Sequence, residues 1–563
     1  MPKKITLILS LTVLIAFGLV SLLMAQYGQS PSWRFLLAFY PLFVILFGVA
    51  FLRQSGLTMA VVGLTITILL AVFQFSTPME VALGASAYGF VNSFGISVSV
   101  AATMLMIFLM REAGALQTVS KVIKHQVIGN EIQALYIGVG FGSFLSSLGV
   151  VTPALFPPLL VAMGFSPLAS VAIAVLGYDP TTSFSLLSIP ITLPASASAN
   201  LIGFAINPFE LAFKIAIFLP LVSTAFAFAI LWLAGGRQSM RKGAVPATVC
   251  GIVLALACLG TVSLDYFTGV EYVPLRIVGV IAGLSAMLSL FAYQKLKPPI
   301  SKPEKVVDYP NGREILRAFS PWILLTLLAV VVSVPFVGGW LSGILGNAEK
   351  VTIFADQTID LNFLSQIYTW IFVAIILSFF SLKLTRTQIK IALGTWSKRF
   401  MGPFLAYSLY FSIAYVMAFS AREIVSGTLA PPNSQLNMNA VLGSTLAAIF
   451  GAGYVFVAAS LGLFGAVVGG SETSSNVLFM KIQRTAAQNI GLNDNGFMTV
   501  YGSHAVGGGI ASAITPAKIN NAVVTIDESH ETESLLMRKH LLVALLLTIG
   551  TGILTGIFVR LGI

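Results

Sequence analysis

Apolar runs of about 20 residues recur from one end of the chain to the other, separated by short polar turns, and each is long enough to cross a bilayer core of roughly 30 Å. The runs are continuous rather than alternating, which predicts helices and argues against a membrane barrel. Spans are predicted at about 5–25, 34–52, 57–75, 80–110, 168–193, 208–234, 244–264, 273–293, 318–334, 363–382, 401–421, 497–520 and 538–560, about 13 in all. Two further apolar stretches, 131–163 and 438–490, are interrupted by "SSLGVVTP" and "GGSETSSN". Irregular polar backbone at membrane depth is tolerated only where protein buries it or where it lines a cavity. Each stretch is therefore read as a re-entrant helical hairpin.

The fold class expected is an all-α polytopic membrane protein with two inverted repeats, each carrying a hairpin and a broken helix. The divisions are a first transmembrane helix at 1–33, a first repeat at 34–234 (hairpin 131–163, broken helix 168–193), a linker with two helices and a cytoplasmic loop at 235–317, and a second repeat at 318–563 (hairpin 438–490, broken helix 497–520). Matched landmarks support the repeat. "TPALF" and "SNVLF" follow the two breaks, and Thr152 to Pro190 spans 38 positions against 41 from Ser475 to Pro516. The first repeat opens on an inward-going span and the second on an outward-going one. Inverted repeats of this kind place a solute site at the midplane, between interrupted helices.

Composition sharpens the class. Of the 563 residues 57% are hydrophobic and 9% charged, with mean hydropathy +0.93, which excludes ordinary soluble domains. The net charge of +11 would suit nucleic acid, but 20 of the 31 Lys and Arg fall in six segments that the topology puts on one face. That is the positive-inside pattern, so nucleic acid is rejected as a partner, and the N-terminus is placed in the cytoplasm of a multi-pass cell-membrane protein. The opening "MPKKITLILSLTVLIAFGLV" is too long for a cleaved signal and reads as a retained helix. Cys250 and Cys258 share one span and point to no disulfide. Nucleotide-loop, metal-ligand and nucleophile-elbow patterns do not occur, so no enzyme, cofactor or metal site is expected.

Chemistry concentrates in four polar patches, "FGSFLSSLGVVTP", "LGYDPTTSFSLLSIP", "GGSETSSN" and "YGSHAVGGGIASAITP". They supply glycines, hydroxyl donors and helix N-termini, the parts of an anion site. The candidate substrate-binding residues are Thr152, Thr181, Thr182, Ser183, Ser471, Thr473, Ser474, Ser475, Asn476, Ser503 and Thr515. Ionisable groups at membrane depth are costly and so mark function, which makes Glu472 and Asp179 the candidates for a coupling proton and His504 its relay. The structural alternatives are an N-cap for Asp179 and a satisfied core donor for His504. Lys518 is read as snorkelling to the cytoplasmic surface, and Arg422 with Glu423 as an interfacial pair.

At these blocks the chain resembles a known family. "GLFGAVVGGSETSSNVLFMKIQRTAAQNIGL", "GGGIASAITPAKINNAVV" and "LMRKHLLVALLLTIG", with Phe141–Ile191 as N-terminal counterpart, are similar to the signature blocks of the L-lactate permease family, which also serves glycolate. The resemblance implies proton symport of a short 2-hydroxy monocarboxylate by alternating access, and kinship with the hairpin-containing ion transporters. Two departures mark a divergent relative. The family's acidic "EGAAGFGTP" reads "SSLGVVTP" here, and its "NTAPVAFGALG" reads "GYDPTTSFSLLS", with a new acid at Asp179. The partners expected are a small organic anion, a proton and the bilayer, with a homodimer as candidate assembly. Sodium coupling to another carboxylate or a sulfonate is the alternative carrier, and an anion channel or membrane-embedded enzyme the alternative class.

Overall fold

The computed structural model describes residues 31–50, 52, 54–149, 153, 156–177, 179–297, 309–469, 471–515, 518–519, 522–523, 526 and 530–563. The expected first helix at 5–25 and the candidate Thr152 lie outside them. The chain is an α-helical, multi-pass membrane protein. Among the described residues nine helices are long and apolar enough to cross a membrane, and five shorter apolar helices join them.

Several predicted spans divide where polar groups or turns interrupt the backbone. The span at 80–110 is two helices, Met79–Asn92 and Phe94–Glu112, meeting at Ser93. The Ser93 hydroxyl lies 2.7 Å from the Phe90 carbonyl, a back-bond of the kind that bends helices. The span at 208–234 is Pro208–Ala216 followed by Leu219–Lys242. The chain is also not purely helical. Lys350–Phe354 pairs with Gln357–Asp360, and Ile424–Val425 with Thr428–Leu429, in two antiparallel β-hairpins. The alternating, β-branched run "KVTIF" before a tight turn carries that signal.

The stretch 438–490 holds three helices. Met438–Phe450 stops at Gly451, whose φ of +53° suits glycine and ends the helix. The hairpin itself is narrower than expected and runs Tyr454–Gly469, then Glu472–Asn489. Its arms are antiparallel. The Tyr454 hydroxyl donates to Gln483 Oε1 at 2.8 Å, and Ser475 Oγ to the Gly462 carbonyl at 3.1 Å. The first hairpin has one arm built from Asn130–Leu135, a π-helical turn Tyr136–Phe141 and Gly142–Ser147, and a second arm Phe156–Ala162. Stacking of Phe141 on Phe156, 5.8 Å between ring centres, holds the arms together.

Both predicted broken helices are broken. The first comprises Pro167–Leu176, a non-helical stretch with two short 3₁₀ turns, and Ile189–Ile202, so it ends beyond the expected 193. The second comprises Asp494–Ile510 and a 3₁₀ turn Ala511–Ile514. Helix Tyr454–Gly469 packs on Asp494–Ile510 through glycine. A Cβ on Gly462 would collide with the His504 carbonyl, and one on Gly507 with the Ala459 carbonyl. That close seating brings the hairpin tip to the second break.

Candidate functional site

The break in the first interrupted helix, between Leu176 and Ile189, is strained. Of ten described non-glycine residues with positive φ, four lie here: Thr182, Leu186, Leu187 and Ser188. Such backbone persists only where surrounding contacts enforce it, and it clusters at functional sites. The contacts here are hydrogen bonds from Ser223 Oγ to the Pro180 carbonyl at 2.6 Å and from Ser188 Oγ to the Leu275 carbonyl at 2.7 Å.

The second hairpin reaches this break directly. Ser183 Oγ donates to Glu472 Oε1, and Asn476 Nδ2 donates to the Pro190 carbonyl at 2.9 Å. The Asn476 carbonyl in turn accepts from the Tyr501 hydroxyl at 2.7 Å. Gly509 leaves space for Thr182, where a Cβ would meet its side chain at 2.7 Å. Four helix ends therefore meet. Helices Ile189–Ile202 and Glu472–Asn489 bring N-termini, which favour anions; Pro167–Leu176 and Asp494–Ile510 bring C-termini, which favour cations.

Ionisable groups gather at the same point. Asp179 is buried beside Ser512, within electrostatic reach of Lys518 and Glu472. Lys518 Nζ donates to Ser512 Oγ at 2.5 Å. It turns inward toward both acids, and the expectation that it snorkels to the surface is corrected. Its place three residues after Thr515 in the second interruption was the available signal.

Unsatisfied polar atoms mark the same region. Among the described residues 17 buried side-chain atoms have no hydrogen-bond partner, and they include both Asp179 oxygens, the hydroxyls of Thr181, Thr182 and Thr473, and Asn476 Oδ1. Folded proteins leave few such groups, so this concentration suits a place that receives a polar solute.

The remaining candidates stand elsewhere. Ser471 and Ser474 bond each other at 2.9 Å, and Ser471 Oγ caps helix Glu472–Asn489 by accepting from the Ser474 N–H at 3.1 Å. Ser475 faces the hairpin seam instead of the break, since its hydroxyl serves Gly462 and His504. Ser503 accepts from Thr555 Oγ1 at 2.6 Å in a helix–helix contact, and Thr515 bonds back to the Ala511 carbonyl at 3.0 Å. His504 has Gln483 Nε2 at 2.9 Å from Nδ1 and Ser475 Oγ at 3.1 Å from Nε2. A neutral ring satisfied on both nitrogens is the structural arrangement set against the relay in the sequence reading. His540 escaped that reading; its Nδ1 lies 2.8 Å from the Ala513 carbonyl, beside Ser512. Among the described residues no group of His, Cys, Asp and Glu is arranged to hold a metal ion.

Comparison with known proteins gives one family. The sequence profile described as L-lactate permease matches residues 34–562. The glycolate permease GlcA of Escherichia coli (strain K12) is 25% identical over 531 residues, covering 86% of this chain and 88% of that protein. The L-lactate permease of the same strain is 24% identical over 559 residues, covering 92% and 95%. The crystal structure of the Alcanivorax borkumensis YdaH transporter aligns with a TM-score of 0.42 at 14% identity, covering 90% of this chain and 99% of that one.

Proposed function

The chain belongs to the L-lactate permease family, and from that premise we propose that it is a secondary active transporter of a short 2-hydroxy monocarboxylate such as lactate or glycolate, driven by proton symport and working by alternating access in the plasma membrane. The observation that carries the reading is the gathering of Asp179, Glu472 and Lys518 at the meeting of two broken helices and a hairpin tip.

Charge counting gives the coupling. Two ionised carboxylates and one ammonium leave the cluster at −1, which repels an anion. One proton, shared within the cluster, makes it neutral and lifts that repulsion. Proton and anion thus favour each other's binding, and by linkage the preference is reciprocal. Lys518 attracts the substrate carboxylate, Thr181 and Thr182 offer hydroxyl donors, and the unpaired Asn476 Oδ1 accepts from the 2-hydroxyl. Ser183 holds Glu472 in place while the acid is ionised. A sodium ion could also use carboxylate and hydroxyl oxygens. The nearby Lys518 ammonium disfavours a second cation here, so the proton is preferred.

Purified protein in neutral liposomes, given labelled L-lactate or glycolate, tests the proposal. Accumulation driven by an inward pH gradient, and not by a sodium gradient, supports it. Accumulation driven only by sodium, or no uptake of either acid, overturns it.

A further inference from the structure

Away from the break, two cations stand together. Arg422 follows helix Met401–Phe419, and Lys481 lies on helix Glu472–Asn489, each within electrostatic reach of the other. The Arg422 guanidinium lies over the Phe419 ring, 4.8 Å from its centre, which fixes the plane of its donors. Among the described residues no acceptor faces its buried Nε. Lys481 Nζ makes one long bond, 3.3 Å, to the Ala418 carbonyl, an oxygen already taken by Asn437 Nδ2 at 2.9 Å.

The carboxylate that acts on Arg422 is Asp356, on the first β-hairpin, and among the described residues no ion pair joins Arg422 to the adjacent Glu423, the pairing the sequence suggests. Asp356 Oδ1 already accepts from Gln357 Nε2 at 2.8 Å and from the Leu429 N–H at 3.0 Å. A Lys481 that served only to cap the carbonyl end of helix Met401–Phe419 would leave Arg422 Nε unexplained and would set two like charges side by side for little gain. An oxyanion between them resolves both points, because a carboxylate matches the guanidinium fork and accepts a further N–H from the ammonium.

We propose that Arg422 and Lys481 form a second anion site, which captures the substrate carboxylate before it reaches the cluster at Asp179, Glu472 and Lys518. This rests on the transport reading above. The two sites share a helix, since Lys481 is nine residues from Glu472, about 13.5 Å along the axis at the ordinary helical rise. The chemistry recognised is a small oxyanion, which an anionic lipid headgroup would also satisfy. The experiment separates the two sources.

Full-length protein in discs of phosphatidylcholine is titrated calorimetrically with sodium L-lactate and sodium acetate, in the parent and in a Lys518→Met background. A weaker isotherm that survives Lys518→Met, and then weakens on the order of tenfold on adding Arg422→Gln with Lys481→Gln, supports the second site. An isotherm unaffected by that pair, or none at all in the Lys518→Met background, overturns it. In uptake, the pair raises KM about tenfold while the maximal rate is kept, and the charge-keeping Arg422→Lys and Lys481→Arg restore most of the affinity. An unchanged KM, or a loss confined to maximal rate, also overturns it. If neither lactate nor glycolate is transported, the transport reading fails, and the acetate titration still decides whether the cation pair binds a carboxylate. An effect of the pair that appears only in discs containing phosphatidylglycerol, without carboxylate binding, assigns the cations to lipid and overturns the capture role.

Discussion

The Ser183 hydroxyl donates to the Glu472 carboxylate, joining residues 289 positions apart in the chain. One belongs to the strained break of the first interrupted helix, the other to the first turn of the returning arm of the second hairpin. Any movement of the hairpin relative to that break must break or carry this bond. Glu472→Gln keeps the shape and removes one of the carboxyls proposed to share the coupling proton. The expected outcome is substrate exchange retained across the liposome membrane, with accumulation under a pH gradient lost. Ser183→Ala should be milder, with accumulation kept and KM raised on the order of tenfold, about the worth of one hydrogen bond to a charged group. Uptake and counterflow measured on the same vesicles separate the two outcomes.

Much of this arrangement was legible in the chain. "GGSETSSN" between apolar runs could only be a break, because no single span tolerates such a run of polar residues at membrane depth. The same argument found the strained segment through "GYDPTTS". Which way each hydroxyl points was not legible. Ser474, Ser475 and Asn476 are consecutive on a helix, so their side chains diverge by about 100° each, and only Asn476 turns to the broken helix. Lys518 was misplaced because snorkelling and inward folding use the same flexible stem, and only tertiary contact decides between them. The boundary at Gly451 was missed because a glycine between apolar residues looks the same in a continuous helix and at a stop.

Asn476 bridges hairpin and broken helix through its Nδ2 and leaves its Oδ1 unpaired. Asn476→Asp keeps the size, deletes the donor to Pro190 and adds a negative charge beside Glu472. Lactate affinity should fall by more than tenfold, well beyond the effect of Asn476→Ala, because a like charge then faces the substrate carboxylate. Equal losses in both variants would show that only packing matters there.

Glycine at Gly462 is required by close approach, not by backbone conformation. Gly462→Ala meets the His504 carbonyl and should cost about 1–3 kcal/mol of stability through overpacking. Gly394, exposed in helix Arg386–Arg399 with open space around it, is the control. Gly394→Ala should stabilise by up to about 1 kcal/mol. Melting temperatures of both variants in the same detergent check the opposite signs.

The Asp356 carboxyl is held below the usual carboxylate range by hydrogen bonds from the Gln357 side chain and the Leu429 N–H. A carboxyl whose folded pKa is lowered stabilises the fold above its unfolded value, near 4, and that contribution is lost as pH falls through the folded value. The contact between the two β-hairpins should therefore be intact at neutral pH and loosen only in acid. Hydrogen exchange at Leu429, relative to its intrinsic rate, should rise in Asp356→Asn at pH 7 and in the parent only below about pH 4.

Asp179 and Lys518 give the sharpest test of the charge balance. The sequence reading set Glu472 and Asp179 as rival proton carriers, yet both acids stand around one lysine. Interacting sites titrate as a set, so on the proposed symport the proton is assigned to the cluster and not to one residue. Asp179→Asn should then resemble Glu472→Gln, with exchange retained and pH-driven accumulation lost. The double variant should be no worse in accumulation than either single one. Lys518→Met should act differently, raising KM for lactate by on the order of tenfold or more, since it removes the charge that draws the carboxylate. Adding Asp179→Asn to Lys518→Met should recover part of that affinity, because it deletes a negative charge left without its counterion. If Asp179→Asn accumulates lactate as the parent does, Asp179 carries no share of the proton and the cluster reduces to Glu472 and Lys518.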